Sequence, residues 1–507
     1  MAEKLSPDGL RSFVEGTGAN KIYHVGTLKY TRPALAILFF WLIWGDFCYT
    51  VMEAVTGPIM QLKFQKLDAS NTEIGLILGT IPGIVYSILN PIISFRSDRF
   101  RSRWGRRIPF ILGSLPFLVI FLVCLGFGDR IGMWLYGHLG FLLKGVSENF
   151  VVMLTLGALL VTFTFFNTFV TSTFWYLFND VVPEHLLARF MSWFRVIGLA
   201  SGSMYSFFIF PFSGTHSTEI FLSAALLYLV GFGLMCLFVK EGEYPPPPPY
   251  VDGQVGPIAA IKTYGKETHA FRHYWYMWLC SFIGSIGGGS GLFGLYFSLA
   301  LGLNMHQIGR ISGTVGLAVG LLTIGAGWLA DRYHPIRVVL AGSLLGALIS
   351  PIGLMWLFWH PPPNVVFMVS LGVGLCLSAP AQAMVGMGDP PMLMRIFPRS
   401  RYGQFCSTNA VWRAMGGIIG GGLAGIYLDI VAHFVGRERA YYYLPFWSMF
   451  FHLPGLFLLF RLYGSWKKHG GDDAYVAPVL AEAGKDVVAP VSPAMTTLHV
   501  PNIRTHE

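Results

Sequence analysis

The sequence predicts an all-α integral membrane protein, with twelve transmembrane helices in two six-helix pseudo-symmetric bundles. Three observations carry that expectation. Of the 507 residues, 54% are hydrophobic and only 12% are charged, whereas a soluble domain carries about 25% charged residues. The apolar residues gather into runs of the roughly 20 residues that a helix needs to cross hydrocarbon. An arginine-rich loop after the second run has a weaker copy after the eighth, so the chain is built twice.

The runs lie at 34–60, 73–95, 108–127, 150–178, 190–212, 219–239, 273–301, 307–330, 336–358, 364–386, 403–433 and 441–463. Lys and Arg concentrate in the loops on one side, together with both termini. That bias makes the side cytoplasmic; the expected bilayer is the plasma (inner) membrane. It also accounts for the net charge of +9 without a nucleic-acid partner. The layout is a cytoplasmic N-terminal tail (1–33), a first bundle (34–239), a cytoplasmic linker (240–272), a second bundle (273–463) and a disordered cytoplasmic tail (464–507). The linker holds five consecutive prolines, Pro245 to Pro249, a stiff extended segment. Residues 1–33 lack the apolar stretch and cleavage site of a signal peptide. In 128–149, Trp134, Tyr136 and Phe141 suit the outer interface.

The repeat is specific. Glu73-Ile74-Gly75 with Gly79-Thr80 is echoed by Gln307-Ile308-Gly309 with Gly313-Thr314, and Asp98-Arg99 by Asp331-Arg332. Glycines four apart line one helix face and let a neighbour approach closely. Substrate binding is expected near the midplane, between the two halves.

Enzyme chemistry has no foothold. There is no H-E-x-x-H, no phosphate-binding G-x-x-x-x-G-K-[ST] and no histidine or cysteine pair at metal-ligand spacing. No cofactor, metal or catalytic residue is expected.

The loop Ser97-Asp98-Arg99-Phe100-Arg101-Ser102-Arg103-Trp104-Gly105-Arg106-Arg107-Ile108-Pro109-Phe110 resembles that of the glycoside–pentoside–hexuronide:cation symporters (melibiose-type) and the related sucrose:proton symporters, within the major facilitator superfamily. The resemblance implies the major facilitator fold and sugar transport. It also implies roles for three places: Gly45-Asp46-Phe47 as the site of a sugar-binding aspartate, Phe174-Trp175 as a pair whose Trp packs on the sugar, and Arg195 as an arginine contacting sugar and acid. There are departures. Tyr86 and Asn90 stand where melibiose-type carriers place cation-binding aspartates, Thr171 replaces a helix-four acid, and Ile108 replaces the third sucrose-type arginine. A proton is therefore expected rather than sodium.

Read residue by residue, Asp46 and Glu53 are two turns apart on one face, with Tyr49 and Thr50. A carboxylate at membrane depth is a functional candidate by default. The expected roles are substrate acceptor at Asp46 and proton site at Glu53, or the reverse; the alternative is an ion pair fastening helices together. Arg195 and Arg413 occupy equivalent positions in the halves and could pair with these acids or grip hydroxyls. Arg413 is also a candidate for proton coupling. Trp175 with Asn167 and Thr171 offers a ring beside polar groups, as a sugar needs. Gln382, Asn409 and Tyr296 are cavity candidates in the second half. Gly287 to Gly291 serve either as a flex point or as a close packing surface. Asp98, Arg99, Arg103, Gly105 and Arg106, with Asp180 and Arg189, form an expected cytoplasmic gate that Asp331 and Arg332 repeat.

The expected function is a monomeric secondary transporter, a sugar or glycoside:proton symporter working by alternating access. The alternatives are a facilitator or exporter of another polar metabolite and a non-transporting sensor of the same fold.

Overall fold

Both copies of the repeat begin in the same way. Ser70 and Asn304 are N-caps, and the third helical residue of each copy, Glu73 or Gln307, bonds back to the cap's N–H. This reciprocal capping box satisfies donors that hydrocarbon would leave bare.

The protein is described by a computed structural model covering residues 12–16, 21–139, 145–244, 268–398 and 401–478. Among these, twelve helices are long and apolar enough to span a membrane: α1 (Arg32–Lys66), α2 (Asn71–Arg99), α3 (Ile108–Gly126), α4 (Glu148–Val181), α5 (Glu184–Phe212), α6 (Ser217–Phe238), α7 (Arg272–Ala300), α8 (Met305–Tyr333), α9 (Pro335–Leu357), α10 (Pro363–Ile396), α11 (Tyr402–Val435) and α12 (Arg437–Lys468). The order is as expected, but the ends reach further. α2 includes Asp98 and Arg99, and α10 passes through Pro390 and Pro391 to Ile396, so Asp389 is helical rather than in a loop.

Packing repeats with the sequence. In the first half α1 contacts α5 and α6, α3 contacts α4 and α6, and α2 contacts α4; adding six to each label gives the contacts of the second half. The halves meet through α2 on α11 and α5 on α8. Glycine makes both approaches possible. A Cβ on Gly75 would lie 2.2 Å from the Gly421 carbonyl oxygen, and one on Gly309 would lie 2.3 Å from that of Ser206.

At the Asn71 end the halves are also bonded together. The Asp429 carboxylate on α11 accepts hydrogen bonds from the N–H groups of Asn71 (3.0 Å) and Thr72 (2.8 Å) and from both of their side chains. Tyr441 donates to Asn71 (2.8 Å) and Arg437 to the Ala69 carbonyl. Thr80 donates to the Ile418 carbonyl (2.6 Å) further along. Towards the arginine-rich loop, α2 exposes Ile88, Ile92 and Phe95, and α8 exposes Leu321, Ile324 and Trp328.

One tail expectation, disorder over 464–507, needs correction, and the other tail carries structure of its own. Residues 1–33 contain a three-stranded antiparallel sheet, β1 (Ser12–Glu15), β2 (Ile22–Val25) and β3 (Leu28–Tyr30), in that order. Its β2–β3 turn uses Gly26 at φ 56°, the conformation a two-residue hairpin demands. The sheet docks where Tyr23 stacks on His185 (5.4 Å) and Thr27 Oγ1 accepts the Glu243 N–H (2.8 Å). In 464–507, residues up to 478 are ordered. Tyr475 donates to the Ile396 carbonyl (2.8 Å) and Tyr274 to that of Pro478 (2.9 Å). Average composition hid the aromatic anchors in both segments. Phe141, Pro245 to Pro249 and 479–507 lie outside the described residues.

Candidate functional site

α1 and α4 do not pack along their backbones; polar side chains bridge them. Tyr49 Oη and Thr171 Oγ1 are 3.0 Å apart, and Asn167 Nδ2 donates to Glu53. These four expected residues are therefore brought together. Asp46, one turn along, is 3% exposed and turns to α5, where its Oδ2 lies 3.2 Å from the place a Gly198 Cβ would take. That oxygen has no hydrogen-bond partner. An unpaired buried carboxylate oxygen costs several kcal/mol. Arg195, one turn from Gly198 on α5, is exposed and forms no ion pair with Asp46 or Glu53 among the described residues. Trp175, 40% exposed, packs edge-on against Phe194 (5.0 Å), the neighbour of Arg195, while Phe174 is fully buried. Tyr228 was not legible as a site residue. It is buried on α6 beside Tyr49 and Glu53, and its hydroxyl is unpaired.

The second-half candidates divide. Gln382 is exposed and bonds Ser378 (2.8 Å). Asn409 is 3% exposed and its carbonyl accepts from Ser281 (2.7 Å), so it ties α11 to α7 instead of facing a cavity. Tyr296 is likewise buried, donating to the Gln61 carbonyl across the halves (2.6 Å). Arg413 pairs with Asp389 of α10 (2.7 Å), not with an α1 acid. An α10 ending at 386 had left Asp389 out of the membrane, which is why it was missed. The glycine run in α7 is a close packing surface, the second of the two readings considered for it. The helix tightens to 3₁₀ at Gly289–Phe293, and Gly289 packs on the Gly420 carbonyl.

The arginine loop forms a clamp inside the first half. Arg106 donates to both oxygens of buried Asp180 (2.9 and 2.5 Å), and Arg107 reaches Asp180 (3.1 Å), Asp98 and Ser97. Glu241, at the start of the linker, accepts the N–H groups of Arg106, Arg107 and Ile108 (2.9, 2.9 and 2.7 Å). A carboxylate there satisfies the orphan donors of α3 and its dipole. Gly105 sits at φ 99°, and a Cβ on it would strike Glu241. Tyr244 donates to Glu241 (2.7 Å), and its ring lies 4.4 Å from the Arg106 guanidinium. Burial, with Asp180 and Glu241 nearby, pushes the Tyr244 phenol up. Arg107, Glu241 and Tyr244 were missed, the last two because they lie far away in sequence. Arg99 lies over Phe95, Arg103 over Trp104, and Arg189 is exposed.

The expected second copy of the clamp is not built. Asp331 is exposed, and Arg332 lies over the Trp328 and Tyr333 rings. The penultimate residue of α4 is Asp180, but that of α10 is Arg395. With the acid replaced by a cation, the second loop has no partner at that position, and its Arg337 pairs instead with Asp472 beyond α12 (2.5 Å).

A family model described as Major Facilitator Superfamily matches residues 42–421. The chain belongs to the Major Facilitator Superfamily. Solved structures agree on the fold. A bacterial homolog of the human lysosomal transporter Spinster, inward-facing and unoccupied, matches with a TM-score of 0.59 at 13% identity, over 86% of this chain and 99% of that one. A bacterial homologue of the iron transporter ferroportin, inward-facing, gives 0.58 at 15% identity, over 84% and 99%. The nucleoside transporter NupG gives 0.55 at 12% identity, over 85% and 99%. This major facilitator protein is a multi-pass membrane transporter of a small molecule, not an enzyme.

Proposed function

We propose that this major facilitator protein is a sugar or glycoside:proton symporter of the plasma (inner) membrane. Its two bundles rock about the midplane, and both termini are cytoplasmic. The observation that carries the reading is the α1 acid pair in its setting: Asp46 with an unpaired oxygen, Arg195 unclaimed nearby, and Glu53 held by Asn167. Carboxylate and guanidinium bind sugar hydroxyls from opposite sides, and the exposed Trp175 face suits a sugar's C–H face. The resemblance carried by Gly45-Asp46-Phe47, Phe174-Trp175 and the arginine loop supports the same class.

In this reading the arginine loop is cytoplasmic, so closure at the Asn71 end is closure to the outside. Substrate leaves from the side where α2 and α8 expose their apolar faces. Glu53 carries the proton, and substrate at Asp46 stabilises the states that let it load and release. Only differential affinity for the two states drives the cycle.

The test is uptake into proteoliposomes under an inward proton gradient, across mono- and disaccharides and their glycosides, with lumenal pH followed. Substrate-dependent acidification is expected. Asp46→Asn and Arg195→Ala should each lower uptake roughly 10- to 100-fold, the loss of one hydrogen bond to a charged group. Uptake without proton movement would leave a facilitator; binding without uptake would leave a sensor.

A further inference from the structure

We infer that the second bundle holds the apolar, aromatic part of the substrate, so that the transported molecule is an aryl glycoside and not a free sugar. The inference rests on the sugar reading above and extends it to the other half. Three sides of the second half are closed by packing, α7 on α12, α12 on α9 and α9 on α10, while α7 and α10 barely touch. The four helices enclose a cavity of about 660 Å³, within the range of roughly 300–1,000 Å³ typical of small-molecule sites. Its mouth is the gap between α7 and α10, the counterpart of the α1–α4 gap where the acids lie.

The repeat makes the void informative. In the first half the corresponding space is filled by rings: Phe174 and Phe232 are 5.1 Å apart, Tyr228 and Phe232 4.6 Å, and all three are fully buried. In the second half the space between the four equivalent helices is left open. Gly284, Gly288 and Gly386 line the cavity, and a Cβ on any of them would meet nothing within 4 Å. Glycine walls are flat, and Phe451 stands beside them against Gly287, a shape that takes a planar ring.

Polar groups in the cavity await partners. Ser343, Ser350 and His452 line it, and none makes a hydrogen bond to a described residue. Polar side chains at membrane depth need a partner, so water or ligand meets them. An aromatic group with a polar substituent satisfies both features, its faces on glycine and Phe451 and its substituent on serine or histidine. Gln382, bonded to Ser378, also lines the cavity.

The experiment is calorimetric titration of the full chain in nanodiscs with methyl glycosides, 4-nitrophenyl glycosides and 4-nitrophenol, using glucose and galactose as the sugars. The nitrophenyl glycosides should bind roughly tenfold more tightly than the methyl glycosides, as burial of one ring implies. Gly288→Leu and Gly386→Leu, each filling open space, should reduce that advantage to below about threefold, with the unfolding temperature as the control for folding. Equal affinity for methyl and nitrophenyl glycosides, or an advantage that survives both variants, overturns the inference. If 4-nitrophenol binds as tightly as the glycosides and loses affinity in the variants, the aromatic pocket stands and the sugar reading falls. If no aryl compound binds, the pocket assignment is overturned.

Discussion

His334 joins α8 to α9 with φ at 64°, a conformation that, glycine apart, asparagine, aspartate and histidine adopt most readily. Its Nδ1 accepts the Ile336 N–H, and its ring lies 4.5 Å from that of Trp466. Burial, helped by the Arg395 cation, lowers its pKa from 6.5 to about 4, which matches an imidazole that accepts at Nδ1. Because the folded state then holds fewer protons than the unfolded chain, stability falls as pH drops from 6.5 towards 4. A thermal-unfolding series over that window should show the loss, and His334→Asn, which keeps a cap and tolerates positive φ, should flatten it. Gly105 makes a second residue-scale case. Gly105→Ala forces a side chain into positive φ and against Glu241, and should destabilise by about 1–3 kcal/mol in reversible denaturation. The acids were readable from sequence because a charge inside an apolar run declares itself, as Asp46 and Glu53 do. Asn409 was misread because polarity alone does not reveal direction; only the packed structure shows its amide spent on Ser281.

Among elements, the junction of α2 with α11 bonds the two halves at the Asn71 end. Asp429 replaces water at the first turn of α2 with four hydrogen bonds and the favourable end of the helix dipole. Asp429→Asn keeps the size and removes the charge. Hydrogen bonds to a charged group contribute about 1.5–3 kcal/mol, so the closed fraction at this end should fall by roughly tenfold or more. Spin labels at the ends of α2 and α11, read as a distance distribution, would show it; an unchanged distribution would remove Asp429 from the latch. The glycines of this junction were legible because the repeat placed them in register twice. Asp429 was not, since nothing local links an acid in α11 to a helix start 358 residues away.

Across the whole molecule, the five helix contacts of one half recur in the other, and the sequence repeat anticipated that. It did not anticipate how the halves differ: a clamp on one side facing Arg395 on the other, and rings on one side facing a void. Pseudo-symmetry sets the backbone, and the side chains then differ between the halves. Gly421→Val tests the joint directly. A Cβ there would lie 2.9 Å from the Gly75 carbonyl oxygen, so the halves cannot meet at this end. Transport should stop while the protein still inserts and unfolds cooperatively, as measured by uptake beside a melting curve.

The connector between the bundles is fastened at both shores. Glu241 and Tyr244 moor it to the first bundle, while the Thr268 carbonyl, taken by the Trp278 indole (3.2 Å), and His269, bonded by Trp412 (3.1 Å), moor it to the second. The bundles themselves meet through α2 on α11 and α5 on α8, so a break between these moorings leaves every contact between the halves in place. A chain severed in that interval and produced as two polypeptides should reunite into a working carrier.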